Sequence, residues 1–315
     1  MESVTVITLA DETYAMPLAV MVRSLLDHLS PGRAIRVVVV DGGITPGTKQ
    51  RLNDSWRGST GWPSCQVDYV APRYGGLGNL PAWGRGTTLT YARLSAADYL
   101  PSECRRAIML DSDVLVLTDI GQLAATDLEG ATVAATQDPY IPFVSSVGGL
   151  WSYAALGLRA DVKYFNAGIM VIDMECWRAE RVGPNAFAFV QRHGRTLQQY
   201  DQDALNAVLA GRWKELDPRW QVHPRTANSL GCPTLDNPNI VHFSGRLKPW
   251  LYRGRDSADA VFHHFVDQTD WRGSRPRRTL KSWALALYDS PLRRFLHPVE
   301  KRVLTSWHRI ARRGL

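Results

Sequence analysis

The stretch "RRAIMLDSDVLVLTD", Arg105 to Asp119, decides how the rest of the chain is read. Asp111 and Asp113 sit one residue apart between the apolar runs "AIML" and "VLVL". Burying a carboxylate is costly unless it is paired, hydrogen-bonded or bound to a metal. In an extended chain the two acids share a face, because side-chain direction alternates. Like charges there repel unless a cation sits between them. A divalent ion resolves that conflict, and oxygen-rich sites suit Mg²⁺ or Mn²⁺. The same residues also fit a turn between two short strands, with both acids in water. D-x-D alone does not separate these readings.

Outward from this stretch, apolar strands alternate with helical patterns. "VTVITLA" (Val4 to Ala10) predicts a buried strand, and "PLAVMVRSLLDHL" (Pro17 to Leu29) a helix with proline in its first turn. "IRVVVVDGG" is continuously apolar, as in a parallel sheet covered on both faces. "QVDYV", "AIMLDSDVLVL", "TVAATQD", "FNAGIMVID" and "NIVHFSG" follow as strands, with helices at "TTLTYARLSAADYL" (Thr87 to Leu100) and "DQDALNAVLAG". This alternation predicts an α/β architecture with a mostly parallel central sheet flanked by helices. Ligands of such sheets bind where strands end. There stand Asp11, Asp111, Asp113, Asp138, Asn166 and His242; caps and turns account for one or two, not for all six.

The composition, 45% hydrophobic and 21% charged over 315 residues, is that of an ordinary globular protein large enough for a real core. "MESVTVITLADETY" enters a strand pattern at once, without a secretory leader. Cys65, Cys104, Cys176 and Cys232 are widely spaced and read as reduced thiols of a cytoplasmic protein. "PYIPFVSSVGGLWSYAALGL" (Pro139 to Leu158) carries no charge, but its prolines, glycines and serines predict a long loop rather than a membrane helix, either a lid or substrate-facing loop or a plain surface excursion.

Charge divides the chain into residues 1–270 and 271–315. The tail holds twelve Lys/Arg against two Asp/Glu, a balance of +10, and the body balances to −3. From Pro298 a basic amphipathic helix is expected. Val299, Val303, Leu304, Trp307 and Ile310 lie on one face, with Lys301, Arg302, Arg309, Arg312 and Arg313 around the rest. An anionic membrane surface is one partner for it, and the catalytic body is the other. Nucleic acid is not expected, since no recognition motif accompanies the charge.

"HFSGRLKPW" (His242 to Trp250) is the more specific motif. His242 can complete the Asp111/Asp113 site as a neutral nitrogen ligand, which favours Mn²⁺ over Mg²⁺. Gly245 lets a backbone N–H approach an anion, and Lys248 offers charge to a departing phosphate. Asn166 can bond sugar hydroxyls or close an Asx-turn. Asp201, Gln202 and Asp203 stand at a helix start, where at least one acid serves as cap. Arg93 can reach a phosphate or carboxylate.

Together, "LADETY", "TTLTYARLSAADYL", "IMLDSDVLVLTDI", "YFNAGIMVIDMECWR", "DQDALN" and "HFSGRLKPW" resemble family 8 glycosyltransferases in order and spacing. They look like the bacterial lipopolysaccharide galactosyl- and glucosyltransferase branch, with glycogenin more distant. The resemblance covers about residues 4–252. It implies a GT-A fold, a UDP-hexose donor, Mn²⁺ dependence and retention of configuration, with a saccharide or lipid-linked saccharide acceptor. Peripheral attachment to the inner face of the plasma membrane would suit that acceptor.

The resemblance implies Asp111, Asp113 and His242 as metal ligands. Ala10, Asp11, Thr13, Tyr14 and Ser112 fall in the nucleotide-binding positions, with Tyr14 stacking on uracil. Arg93, Asp138, Asn166, Asp201 and Gln202 fall at the sugars, and Gly245 and Lys248 at the diphosphate. Gln202, Asp201 and Lys248 are the residues nearest the chemistry. Thr13 replaces the asparagine of the galactosyltransferase pattern, which weakens one nucleoside contact.

Two other functions compete. A haloacid-dehalogenase-like phosphatase also uses D-x-D, with an aspartyl nucleophile, but nearer the chain start, and it leaves "HFSGRLKPW" unexplained. A non-catalytic sugar-nucleotide-binding protein would keep the fold without turnover, yet the catalytic positions other than Thr13 are filled.

Overall fold

The run "IRVVVV" sets the layering. In a strand, alternate residues face opposite sides, and here both sets are buried. Val37 and Val39 pack into one core layer and Val38 and Val40 into the other. The computed structural model describes residues 3–76, 88–194, 196–224, 237–245, 248–251, 257–277 and 279.

Among the described residues the central sheet has seven strands. They are β1 (Val4–Ala10), β2 (Ile35–Asp41), β3 (Cys65–Val70), β4 (Arg106–Leu110), β6 (Val133–Gln137), β7 (Phe165–Asp173) and β8 (Lys214–Glu215). Their order is β3-β2-β1-β4-β7-β6-β8. The strands β3, β2, β1 and β4 are mutually parallel. The strand β7 runs antiparallel to both neighbours, with Leu110 opposite Ile169. A wholly parallel sheet would put the start of β7 at the far edge. The reversal instead brings "FNAG" beside the end of β4.

One face carries α1 (Ala15–Asp27) and α2 (Pro46–Arg57), whose Leu18, Met21, Leu25 and Trp56 are fully buried against β1 and β2. Thr45 caps α2, accepting from Thr48 N at 3.3 Å, with proline in the first turn. The short α3 (Ile120–Ala124) starts at Asp119, whose Oδ1 accepts from Gly121 N. The other face carries α4 (Met174–Ala179), α5 (Val182–His193) and α6 (Asp201–Val208). With them packs Thr88–Tyr99, which is a 3-10 segment broken at Ser95 rather than the expected α-helix. Threonines stiffen its first turn, and Tyr91 through Ala96 are all buried, so every side of its middle turns is packed.

The D-x-D stretch is not one extended strand. The strand β4 stops at Leu110, residues 111–113 turn, and β5 (Val114–Val116) leaves the main sheet. It pairs antiparallel with β9 (Ile240–His242), placing Val114 opposite His242. The last described helix, α7 (Ser257–Val266), buries Phe262 and Phe265 beneath this ribbon. No helix among the described residues is long and apolar enough to cross a membrane. Pro139–Leu158 is indeed non-helical: it closes against the residues that follow it, through Val144 N to Val162 O and a small core of Ile141, Val144, Leu150 and Tyr164. Cys65, Cys104 and Cys176 are unpaired. The helix expected from Pro298, and Cys232, lie outside the described residues.

Candidate active site

The turn at 111–113 and the end of β9 bring three ligand atoms together. One atom each from Asp111, Asp113 and His242 lie within 4.8 Å of one another. His242 Nε2 is 3.5 Å from Asp111 Oδ2 and 3.2 Å from Asp113 Oδ1. The D-x-D acids therefore sit in a turn but not in water. Asp113 and Ser112 are buried, and Asp111 keeps 27% of its side chain exposed.

Counter-charge comes from the protein on both sides. Arg93 donates to Asp111 and, at 2.7 Å, to Ala167 O, and lies 3.2 Å from Asp201. Lys248 donates to Asp113 and, at 2.7 Å, to Phe243 O. Burial raises the Asp113 carboxyl, but Lys248 and His242 outweigh it and hold the group well below the usual range. For Asp111 burial prevails over Arg93, and the proximity of Asp113 adds to it, so its carboxyl is raised. Lys248 and Arg93 are both raised: burial opposes their charge, but the neighbouring carboxylates overcome it.

The end of β1 forms one wall. Asp11 Oδ1 accepts from Thr13 N, Thr13 Oγ1 and Tyr14 N at 2.9, 2.6 and 3.1 Å, capping the short turn that follows Ala10. Ala10 O accepts from Gly42 N, and a Cβ on Gly42 would lie 3.2 Å from Asp11 Cβ. Tyr14 meets Trp250 edge-on at 5.7 Å, and Lys248 Nζ lies 6.0 Å from the Tyr14 ring centre. Gly245 is exposed and takes φ +79°, in the left-handed region that favours glycine.

The opposite wall is a buried amide and carboxylate network. Asp138 Oδ1 accepts from Tyr140 N and Ile141 N, and its Oδ2 from Asn166 Nδ2 and Gln202 Nε2 at 2.8 and 3.1 Å. Gln202 Oε1 accepts from Ala167 N at 3.0 Å. Burial raises the Asp138 and Asp201 carboxyls despite these bonds. Asp201 is not the cap of α6: it pairs with Arg93 and accepts from Thr90. No side chain caps α6, against the expectation for these acids: Asp203, in its first turn, instead accepts from Gln198 N and Gln199 N of the preceding loop at 2.6 and 2.9 Å. Burial pushes its carboxyl up to about 6. Just before α6, Tyr200 has φ +55°, a strained conformation that aims Asp201 and Gln202 inward.

Three residues of this constellation are not among the candidates read from the sequence. Gln221 Nε2 lies 2.8 Å from His242 Nδ1 and donates to Asn166 Oδ1 at 2.5 Å. His223 packs 5.1 Å from the His242 ring and bonds Ser244 Oγ at 2.7 Å. Burial, aided by His242, holds it well below the ordinary imidazole range. Gly168 is an intimate spacer: a Cβ there would fall 2.4 Å from His242 Cε1 and 2.8 Å from Asp111 Oδ2. The glycine of "FNAG" was visible in the sequence, but nothing in "RWQVH" marked Gln221 or His223.

A cavity of about 1230 Å³ opens at the other end of the sheet. Two of the arginines that line it are committed, Arg36 to Asp68 and Arg106 to the carbonyls of Ala124 and Thr126. Size alone does not make it the reactive site.

The sequence profile described as Glycosyl transferase family 8 matches residues 5–254. "General stress protein A" of Bacillus subtilis (strain 168) is 32% identical over 284 residues, covering 86% of this chain and 95% of that protein. "Probable galacturonosyltransferase-like 4" of Arabidopsis thaliana is 31% identical over 59% of this chain and 56% of its own length. Among solved structures, the galactosyltransferase LgtC in complex with donor and acceptor sugar analogs superposes with a TM-score of 0.69. It is 25% identical, covering 89% of this chain and 99% of that one. An active-site mutant of LgtC gives a TM-score of 0.72 at 25% identity, over 86% of this chain and 99% of that one. The profile spans most of the chain and the fold follows LgtC throughout the described body: the chain is a GT-A glycosyltransferase belonging to glycosyl transferase family 8.

Proposed function

We propose that this glycosyltransferase transfers a hexose, galactose or glucose, from a UDP-sugar to a saccharide hydroxyl with retention of configuration. The observation that carries the reading is the convergence of Asp111, Asp113 and His242. Asp113 Oδ1 is buried there with no well-formed hydrogen bond, only His242 Nε2 at 3.2 Å beside it, an acceptor left for a cation. Two carboxylates and an imidazole suit Mn²⁺, with Mg²⁺ the alternative. Bound there, the cation supplies Lewis-acid charge for the diphosphate leaving group.

The protein's own groups do the rest. Ala10, Asp11, Thr13, Tyr14 and Ser112 hold the nucleoside, Tyr14 by its ring. Lys248, already cationic beside Asp113, and the Gly245 N–H stabilise the departing diphosphate, charge meeting charge in a buried site. Arg93, Asn166 and Asp201 orient the donor sugar. Each Asp138 oxygen accepts two hydrogen bonds, so Asp138 fixes Asn166 and Gln202 rather than receiving a proton. Gln202 offers a neutral amide oxygen and Asp201 is occupied by Arg93 and Thr90. Neither is a free nucleophile, which favours attack by the acceptor hydroxyl on the face the UDP leaves over a covalent sugar–enzyme intermediate. The acceptor is a saccharide or lipid-linked saccharide in cell-surface polysaccharide or lipopolysaccharide synthesis. The basic residues 271–315 hold the enzyme to an anionic membrane face, and residues 1–270 form the catalytic domain.

A UDP-release assay over a panel of UDP-sugars tests this. Mn²⁺-dependent release from UDP-galactose or UDP-glucose, stimulated by a saccharide acceptor, is expected. Release of inorganic phosphate from phosphomonoesters, with no UDP from any donor, contradicts it. A glycosyl adduct trapped on Asp201 or Gln202 overturns the front-face route alone.

A further inference from the structure

His242 is held from behind by a buried amide that belongs to none of the sequence motifs. We propose that Gln221 is the positioning residue of the cation site, selecting which nitrogen of His242 carries its proton and coupling cation loading to the release of Asn166. This rests on the reading of Asp111, Asp113 and His242 as metal ligands.

The orientation of Asn166 is fixed first. Its Oδ1 accepts from Gly168 N at 2.9 Å and its Nδ2 donates to Asp138 Oδ2 at 2.8 Å. The Asn166 oxygen therefore faces Gln221, which must answer with its NH₂, at 2.5 Å. The Gln221 carbonyl in turn accepts from Thr136 Oγ1 at 2.7 Å. The same Gln221 Nε2 stands 2.8 Å from His242 Nδ1. An amide NH₂ has two hydrogens and no acceptor capacity, so Nδ1 is the acceptor. The proton of the neutral ring then sits on Nε2, facing the two carboxylates.

An imidazole that ligates through Nε2 needs the reverse: a lone pair on Nε2 and an N–H on Nδ1, with an acceptor behind it. Gln221 supplies that acceptor by turning its amide over. Its Nε2 then donates to the Thr136 hydroxyl, which can accept as well as donate. Its Oε1 receives Nδ1–H and also faces Asn166 Oδ1, so the Gln221–Asn166 bond is lost. One proton leaves Nε2 and one arrives on Nδ1, and the ring stays neutral. Gln221, His242, Asn166 and Asp138 are all at most 7% exposed, so water is poorly placed to repair a mismatched pair. The consequence is that the Asn166 oxygen loses a donor when the cation is loaded, and can receive a sugar hydroxyl in its place. By linkage, a ligand that engages Asn166 Oδ1 tightens cation binding by the same factor.

Long-range ¹H–¹⁵N correlation spectra of the full chain, with His242 identified through a His242→Gln variant, read the tautomer directly. The metal-free protein is expected to show Nε2–H at His242, and the protein with Mg²⁺ and UDP to show Nδ1–H. Gln221→Glu, whose carboxylate accepts without turning, is expected to show Nδ1–H even without metal. Gln221→Met, which fills the space without bonding, is expected to bind Mn²⁺ about tenfold more weakly in an EPR titration with UDP. Nδ1–H at His242 in the metal-free wild type, or a Met variant that binds Mn²⁺ as the wild type does, overturns the proposal. The wild-type spectra stand even where a variant fails to fold. Failure of the wild type to bind Mn²⁺ with or without UDP removes the metal-site reading itself, and this coupling with it.

Discussion

The wall at the end of β1 and the wall built from β6, β7 and α6 face the same three ligand atoms, yet they are constructed differently. On the first, Asp11 bonds Thr13 and Tyr14, two and three positions away, and Thr13 stays exposed. On the second, the bonds run from Asp138 to Asn166, Asp138 to Gln202, and Gln221 to Asn166, across 28, 64 and 55 positions. A local turn can be replaced residue by residue at modest cost. A buried polar network depends on every member being satisfied, so one loss spreads. Substitutions in the shared centre and the far wall should therefore cost much more than those beside β1.

Asp113→Asn is expected to show the largest effect, about a thousandfold loss of turnover, since it weakens both the cation site and the Lys248 pair. Steady-state UDP release measures it. A loss under tenfold would move the cation away from this turn. Next comes Gly168→Ala, where the added Cβ meets His242 Cε1 at 2.4 Å and Asp111 Oδ2 at 2.8 Å. Displacing that ring is expected to weaken Mn²⁺ binding by tenfold or more, with a stability cost of about 1–3 kcal/mol typical of overpacking. Parallel Mn²⁺ titration and urea denaturation separate the two effects.

Asp203 gives the far wall a pH signature. Its carboxyl rises from 3.8 to about 6 because it is buried. The native state then holds the proton that the unfolded state has released. Stability is thus highest below the unfolded value and declines as pH rises through the folded one. Relative to Asp203→Asn, the wild type should lose about 2 kcal/mol between pH 4 and 6, at 1.36 kcal/mol per unit. Denaturation curves at both pH values check this; parallel slopes for the two proteins would contradict it. At the β1 wall the effect should be smallest. Asp11→Ala removes the turn's cap, a loss of about 1 kcal/mol in typical helices, and is expected to weaken UDP binding only several-fold.

The same contrast explains what could be read in advance. Strand–helix alternation and the continuously apolar β2 made the layered fold legible, because periodicity and burial are local signals. Asp111, Asp113 and His242 were legible as candidates, since each is a polar group at the end of an apolar run. The reversal of β7, which sets Asn166 and Gly168 against the end of β4, is a matter of register and leaves no mark in composition. Gln221 is a similar case: an ordinary residue of "RWQVH" that matters only because β9 folds back beside Val222. Lys248 was read as a phosphate contact from its motif, but its bond to Asp113 needed a fold spanning 135 positions.

The central claim, that Asp111, Asp113 and His242 join a cation to a uridine diphosphate group, is tested most directly by calorimetric titration of UDP with and without Mn²⁺. The account predicts at least tenfold tighter UDP binding with Mn²⁺ in the wild type, and no such enhancement in Asp113→Asn. UDP affinity that ignores Mn²⁺ in the wild type, or an enhancement that survives Asp113→Asn, would contradict it.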